Sequence, residues 1–390
     1  MNKVKFFNVT LIDGLGGEPI KNVNVLTDGQ KISSIDFDNY CNTTDDYLVI
    51  DATGKFMIPG LIDVHMHVTS MPAYLDAYGH LDQNLKAISK LRKCLQAGTT
   101  TVANVGGSAE NVYLKKAIDR GDITGCASLV VGMMVNATGG HVRGRSADGP
   151  WEVRKAVREA IMAGADFIKT AASGGFMWED REISWEDYTY EELVALVCEA
   201  HTKDKKVAVH AHTQPGLNNS IKSACDIITH GALIDDEALE GILKKDLYFI
   251  PTLFITSDKT LERPNLPLFM KQRMQLAHPV HREGVKKAHK MGIKIGAGTD
   301  GGPGDILIEL KELTKCGLSP MEAIVAGTRN SADSLGILKT VGTVEAGKYA
   351  DLVILSKDPT EDIDLLCTEN IEMVIKRGQI YRLNEKIKSL

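Results

Sequence analysis

The chain has no apolar run approaching the ~18 residues of a membrane-spanning helix, no Lys/Arg-rich stretch and no Cys-x-x-Cys pair. Each absence removes a class of function. A membrane span is not expected, and with a formal net charge of -6 neither is a nucleic-acid footprint or a polybasic membrane patch. A small molecule is the expected partner. The seven cysteines (Cys41, Cys94, Cys126, Cys198, Cys225, Cys316 and Cys367) are odd in number and scattered, which fits reduced core thiols in a cytoplasmic protein better than a disulfide framework. The opening MNKVKFFNVTLIDGLGG lacks the apolar core and small-residue cleavage site of an export signal.

What is present is ordinary globular composition, 43% hydrophobic and 25% charged over 390 residues, enough for a large barrel or two domains. Residues 1 to about 57 alternate short β-like runs with Gly-Gly and Asp-Gly turns, and the last fifty repeat that style in GTVEAGKYADLVIL and IEMVIKRGQIYRL. Two such segments at opposite chain ends are expected to pair into one small β-sandwich domain, residues 1–58 with 338–390. Between them, over 59–337, short apolar strands alternate with helical stretches about eight times: 60–67, 99–105, 126–135, 165–172, 206–212, 226–230, 247–253 and 294–300. That alternation implies α/β architecture, a parallel (β/α)8 TIM barrel with its site at the C-terminal strand ends.

Strand one reads GLIDVHMHV. In an extended strand His65 and His67 project to one face, with Val64, Met66 and Val68 on the other. An isolated His-x-His is ordinarily a hydrogen-bonded or surface pair, so the argument needs further ligands. They are there. Lys169 falls in strand four, His210 and His212 end strand five, His230 ends strand six and Asp300 ends strand eight. Apolar strands have no structural need for such groups, and a barrel brings their ends to one mouth.

The motifs PGLIDVHMHV, DFIKTAASGG, VAVHAH, THG and GTDGG, in this order, together with TRNSADSLGI and GTVEAGKYADLVIL, resemble the amidohydrolase superfamily of metal-dependent hydrolases. ATGGHV (137–142), IKTAASGG and VAVHAHT are most similar to its imidazolonepropionase-related and Xaa-Pro dipeptidase-like branch. The resemblance implies two divalent metal ions, with zinc favoured by the imidazole and carboxylate ligands. One ion is assigned to His65, His67 and Asp300 and the second to His210 and His230. Lys169 bridges as a carbamate, because a plain ammonium cannot ligate. A metal-bridging hydroxide then attacks a carbonyl, and Asp300 accepts the water's proton and passes it to the leaving nitrogen. His141 is expected beside the substrate carbonyl, Arg143 or Arg145 on a substrate carboxylate, and His212 beside the metal or in contact with substrate. His80, His201, His278, His281 and His289 read as solvated or capping.

The stretch SGGFMWEDREISWEDYTY, 173–190, is long for a strand-to-helix connection and reads as a lid. Phe176, Met177, Trp178 and Trp185 would cover an apolar or flat part of a small-molecule amide. Glu179, Asp180, Glu182, Glu186 and Asp187 either favour a basic side chain or belong to a helix start. After strand two, Asn104 and Val105 stand where many dipeptidase-like relatives carry Arg-Asp. The expected activity is hydrolysis of a dipeptide or N-acyl amino acid by a homo-oligomer. The alternatives are a cyclic amidase of imidazolonepropionase or lactamase type, a ring deaminase and, more distantly, a noncatalytic assembly protein.

Overall fold

A computed structural model of the chain describes residues 3–37, 47–69 and 77–383; Cys41 lies outside them, as does the side chain of His80. Among the described cysteines, Cys94, Cys126, Cys225 and Cys316 are buried free thiols, whereas Cys198 is exposed. No helix among the described residues is long and apolar enough to cross a membrane.

Both chain ends enter one mixed sheet of eight strands. Phe56–Pro59 runs parallel to Lys3–Leu11 and antiparallel to Leu352–Leu355, which pairs onward with Ile371–Lys376. The two-residue period sorts these strands between two cores, except at Ile371, which a register shift beside Leu355 turns to the barrel side. Met57, Leu352, Ile354, Met373 and Ile375 join Val4, Phe6 and Val25 in a core of the terminal sheet, while Ile58, Val353, Leu355, Ile371 and Val374 join the core around the barrel. Burial on both faces explains why these strands read as nearly continuous apolar runs.

The eight parallel barrel strands are Leu61–Met66, Thr99–Gly107, Ser128–Asn136, Phe167–Ala171, Val207–Ala211, Ile227–His230, Tyr248–Ile250 and Lys294–Ile295, paired in that order. All fall inside or within two residues of the expected segments. The last two are shorter than expected, since regular pairing stops at Ile250 and Ile295. The barrel nevertheless closes: Val64 N donates to Ala297 O (3.1 Å), and Thr299 N and Asp300 N donate to His65 O (3.2 and 2.6 Å). Asp63 reinforces the seam by accepting from Thr299 N (3.1 Å) and Thr299 Oγ1 (2.7 Å).

Inside the barrel lie Ile62, Val64, Ala103, Val105, Val130, Phe167, Ala208, Ile227 and Ile250, and alternate residues of the same strands face the helices. Gly132 leaves the room that the Phe167 ring fills, since any side chain there would overlap it. The expected grouping of Val64 with Met66 and Val68 is corrected here. Val64 belongs to the inner core, but Met66 and Val68 pack outward. A register shift between Asp63 and Met66 inverts the alternation and turns His65 inward.

After strand seven the chain turns through Leu253–Thr256, and the helix Ile306–Lys315 holds that turn by one side chain. Glu309, fully buried, accepts from Leu253 N (3.0 Å) and Phe254 N (2.7 Å). Burial raises its carboxyl to about 8 even though both N–H groups favour the anion. A carboxyl whose folded pKa exceeds its unfolded value contributes stability at low pH that fades as pH rises through that window. Glu309→Gln, which turns an NH2 toward one of the two N–H donors, should cost roughly 1–3 kcal/mol in urea denaturation. The gap between wild type and variant should narrow from pH 5 to pH 8, and a gap that widens would contradict this origin.

Candidate metal centre

Strand periodicity places two of the polar groups directly. Lys169 follows inward Phe167 by two residues, and His210 follows inward Ala208. His230 needs a different device, because Ile227 faces inward and an even alternation would send residue 230 outward. Its left-handed backbone, φ 74°, reverses it. Thr252 (φ 51°) and Asp300 (φ 52°) share that conformation, so three strained residues meet at one site.

The imidazoles of His65, His210, His212 and His230 are buried and mutually close. Ring centroids lie 4.7 Å apart for His65 and His230, 4.4 Å for His210 and His230, and 4.7 Å for His210 and His212. Ring nitrogens of His210, His212 and His230 form one triad, and those of His65 and His230 with a carboxylate oxygen of Asp300 a second; within each, all atoms lie within 4.8 Å of one another. His67 lies just past strand one, half exposed, with Nε2 3.3 Å from Asp300 Oδ1. The buried Lys169 Nζ donates to Thr170 O (3.1 Å) and Thr229 Oγ1 (3.4 Å). Asp300 lies beyond the paired part of strand eight, not at its end, and reaches the cluster through the seam to His65.

Burial drives the pKa of His65, His210, His212 and His230 well below the ordinary value, so all four are neutral. Burial also pulls Lys169 down to about 7, against the attraction of Asp300. For Asp300, burial opposes ionisation, but the hydrogen bond from His67 and the electrostatic pull of the neighbouring imidazoles and of Lys169 outweigh it and hold the carboxyl below its usual range.

Above this floor opens a cavity of about 550 Å³ walled by Met134, His141, Val142, Phe176, Met177, Trp178, Ile255 and Met274, with Arg143 at its rim. The His141 ring stacks on His210 at 4.3 Å, and burial lowers its pKa to about 4. Arg143 lies 5.2 Å over the Trp178 ring and has no carboxylate partner among the described residues. Arg145 is excluded from the cavity: it ion-pairs with Glu152 and Glu159 on the adjoining helix.

A model of the amidohydrolase family matches residues 56–381. The chain belongs to that family. It is thus a metal-dependent hydrolase acting on carbon–nitrogen bonds. It is 29% identical to ochratoxinase of Aspergillus niger over 368 residues, 84% of this chain and 75% of that protein. It is 23% identical to a probable imidazolonepropionase of Nematostella vectensis over 94% of both chains. A crystal structure of a Xaa-Pro dipeptidase with methionine in its active site superposes with a TM-score of 0.88 at 28% identity, covering 98% of this chain and all of that one.

The residues of this amidohydrolase fit a metal centre. Buried Nδ1 atoms of His65, His141 and His212 have no hydrogen-bond partner among the described residues, an arrangement that costs free energy unless a cation or a donor fills the space. The neutral imidazoles with Asp300 are the borderline donor set of zinc and its neighbours.

Three sequence expectations change. His281 is fully buried rather than solvated: its Nε2 lies 3.0 Å from His230 O and its Nδ1 3.0 Å from Thr256 Oγ1, so it props the strained His230. His201 and His289 do sit in exposed ion pairs, with Asp226 and Glu322. Trp185 is exposed and lies outside the main cavity, so the aromatic cover is Phe176 and Trp178. Among the lid acids, Asp187 neither selects a base nor starts the helix, whose N-terminus is the Thr189–Glu192 capping box; it accepts from His141 N (2.7 Å). Asn104, in place of the Arg-Asp pair, accepts from Val68 N (3.1 Å) and steadies the turn after His67.

Removal of metal by a chelator should lower the thermal midpoint, and zinc returned at about 100 times its Kd should restore about 2.7 kcal/mol. His230→Ala, which belongs to both ligand groups, should abolish that response in calorimetry. An undiminished zinc-dependent shift in this variant would exclude His230 as a ligand.

Proposed function

We propose that this amidohydrolase is a binuclear zinc enzyme that hydrolyses the amide bond of a dipeptide or N-acyl amino acid with an apolar body and a free carboxylate. The observation that carries this reading is one cavity combining a histidine and carboxylate floor, a wall of Phe176, Trp178, Ile255 and Met274, and Arg143 free at the rim. The methionine held by the similar dipeptidase supports an apolar amino acid as occupant.

In this reading His65, His67 and Asp300 would hold one ion and His210 and His230 the other, with Lys169 contributing to both as a carbamate. With its pKa brought to about 7 by burial, Lys169 has a neutral fraction whose nitrogen adds to carbon dioxide, releasing one proton and leaving an anion. Two divalent ions held there would supply the Lewis acidity that makes water nucleophilic near neutral pH. Asp300, ionised there, accepts the water's proton and returns it to the departing nitrogen, which leaves poorly as an anion. Neutral His141 keeps a ring N–H to donate to the carbonyl oxygen as charge develops on it. Arg143 takes the substrate carboxylate as a two-point ligand, with Trp178 beneath it. His212, against Phe176 at 4.7 Å, meets the substrate's side.

Mass spectrometry of products from N-acyl amino acids, dipeptides, cyclic amides and aminated heterocycles tests the class. Release of an acid and an amino acid supports it; addition of water without fragmentation means ring opening, and loss of ammonia from an intact ring means deamination. Arg143→Gln should raise KM for N-benzoyl-L-phenylalanine about 10-fold or more with kcat little changed, and an unchanged KM removes the carboxylate contact. Lys169→Ala should lose most activity and bound metal, with partial recovery in a short carboxylic acid. Full activity and metal content without that acid would sink the binuclear assignment.

A further inference from the structure

The lid over residues 173–187 contacts His141 and the turn that carries it at several points. Its neck is closed by pairing of Ser173 with Glu186 and by Gly174 N donating to Trp185 O (2.8 Å). From that neck, Asp187 Oδ2 accepts from His141 N at 2.7 Å. From the tip, Trp178 Nε1 donates to His141 O at 2.8 Å. Arg181 donates to the carbonyls of Gly139 and Gly140, at 2.7 and 2.6 Å. Gly175 lies against the imidazole so closely that a methyl there would overlap the ring, and His210 stacks on the ring at 4.3 Å. The loop that carries His141 runs through two glycines, Gly139 with φ 76°, and has little conformational preference of its own. Asp148 anchors its start by accepting from Thr138 N and Oγ1 (2.9 and 2.6 Å), and from Gly139 to His141 the lid supplies the side-chain contacts that orient it.

We propose that the lid is the holder of His141: Asp187, Trp178 and Gly175 are positioning residues that aim its imidazole at the reacting carbonyl, so the wall that contacts the substrate also sets the chemistry. Trp178 does both directly, lining the cavity with its ring and fixing His141 with its N–H. Arg273, from the helix Leu268–Lys290, donates to Trp178 O at 2.6 Å and fixes the lid tip in turn. The inference rests on the carbonyl role given to His141 above.

The test is a pair of double-mutant cycles on N-benzoyl-L-phenylalanine hydrolysis, Asp187→Ala with His141→Ala and Gly175→Ala with His141→Ala. His141→Ala should lower kcat about 100-fold, the worth of an oxyanion donor. Asp187→Ala should lower kcat about 10- to 100-fold, as a small misplacement does, with KM within about threefold. Asp187→Asn, whose amide oxygen can accept the same N–H, should recover most of that loss. In the His141→Ala background neither partner substitution should cost more than about twofold further, since there is no ring left to aim. Hydrogen exchange of the 137–145 amides should accelerate in Asp187→Ala. The cycle with Gly175→Ala decides the matter alone if Asp187→Ala does not fold. Losses that multiply in the double variants, or single variants with unchanged kcat beside an impaired His141→Ala, overturn the positioning role. A His141→Ala enzyme of normal rate overturns instead the carbonyl role on which it rests.

Discussion

The site depends on the seam between the first and last barrel strands. His65 is the second residue from the end of strand one, and its carbonyl accepts both Thr299 N–H and Asp300 N–H. That contact puts residues 235 positions apart in sequence within ligand distance of one another. Asp63 doubles the connection by taking both donors of Thr299. Since regular pairing of strand eight ends at Ile295, nothing else in the ladder would hold Asp300 beside the histidines. Closing the barrel and assembling the carboxylate with the imidazoles are the same event.

A second constraint follows from what the seam encloses. Four imidazoles and an amine brought this close cannot all be cations, and burial keeps the imidazoles neutral. A neutral imidazole buried with a partnerless nitrogen is costly, yet among the described residues the fold retains three such atoms, on His65, His141 and His212. It also keeps left-handed backbone at His230, Thr252 and Asp300. Strain and unsatisfied donors concentrated at one spot are what a site looks like when its stabilising partner is a ligand.

The barrel and most of this floor were legible in the sequence, because strand number and the strand-end position of each polar residue follow from period and spacing. Lys169 and His210 obey that period. His65 and His230 face the same cavity for reasons the period does not contain, a register shift and a left-handed residue. His-x-His pointed to two imidazoles that both lie near Asp300, while Val64 was misassigned, since alternation was assumed where the strand bulges. His281 was unreadable: HPVH on a helix looks like surface, and only the packing of that helix against the turn Leu253–Thr256 brings its ring to His230 O. Asp187 was equally hidden, one acid among five in a polar loop, distinguished only by facing a backbone N–H across a turn.

Floor and walls therefore differ in how they are specified, and this bears on how far a relative's chemistry transfers. The floor residues come from strand ends fixed by the barrel, so fold and motif together position them. The walls come mostly from outside the strands: Trp178 and Phe176 from the lid, His141 and Arg143 from the turn after strand three, and Met274 from the helix Leu268–Lys290, with Met134 of strand three the exception. Loops vary freely where strands cannot. The reaction at a strand-built floor can thus be shared between proteins at 23–29% identity, while the cavity above must be argued from its own side chains. In this chain those side chains are not independent of the floor, because the lid that shapes the cavity also grips the loop bearing His141. With the carbonyl role proposed for His141, a change of lid sequence that alters which substrate fits would also move that imidazole, which ties selectivity and rate to the same few contacts.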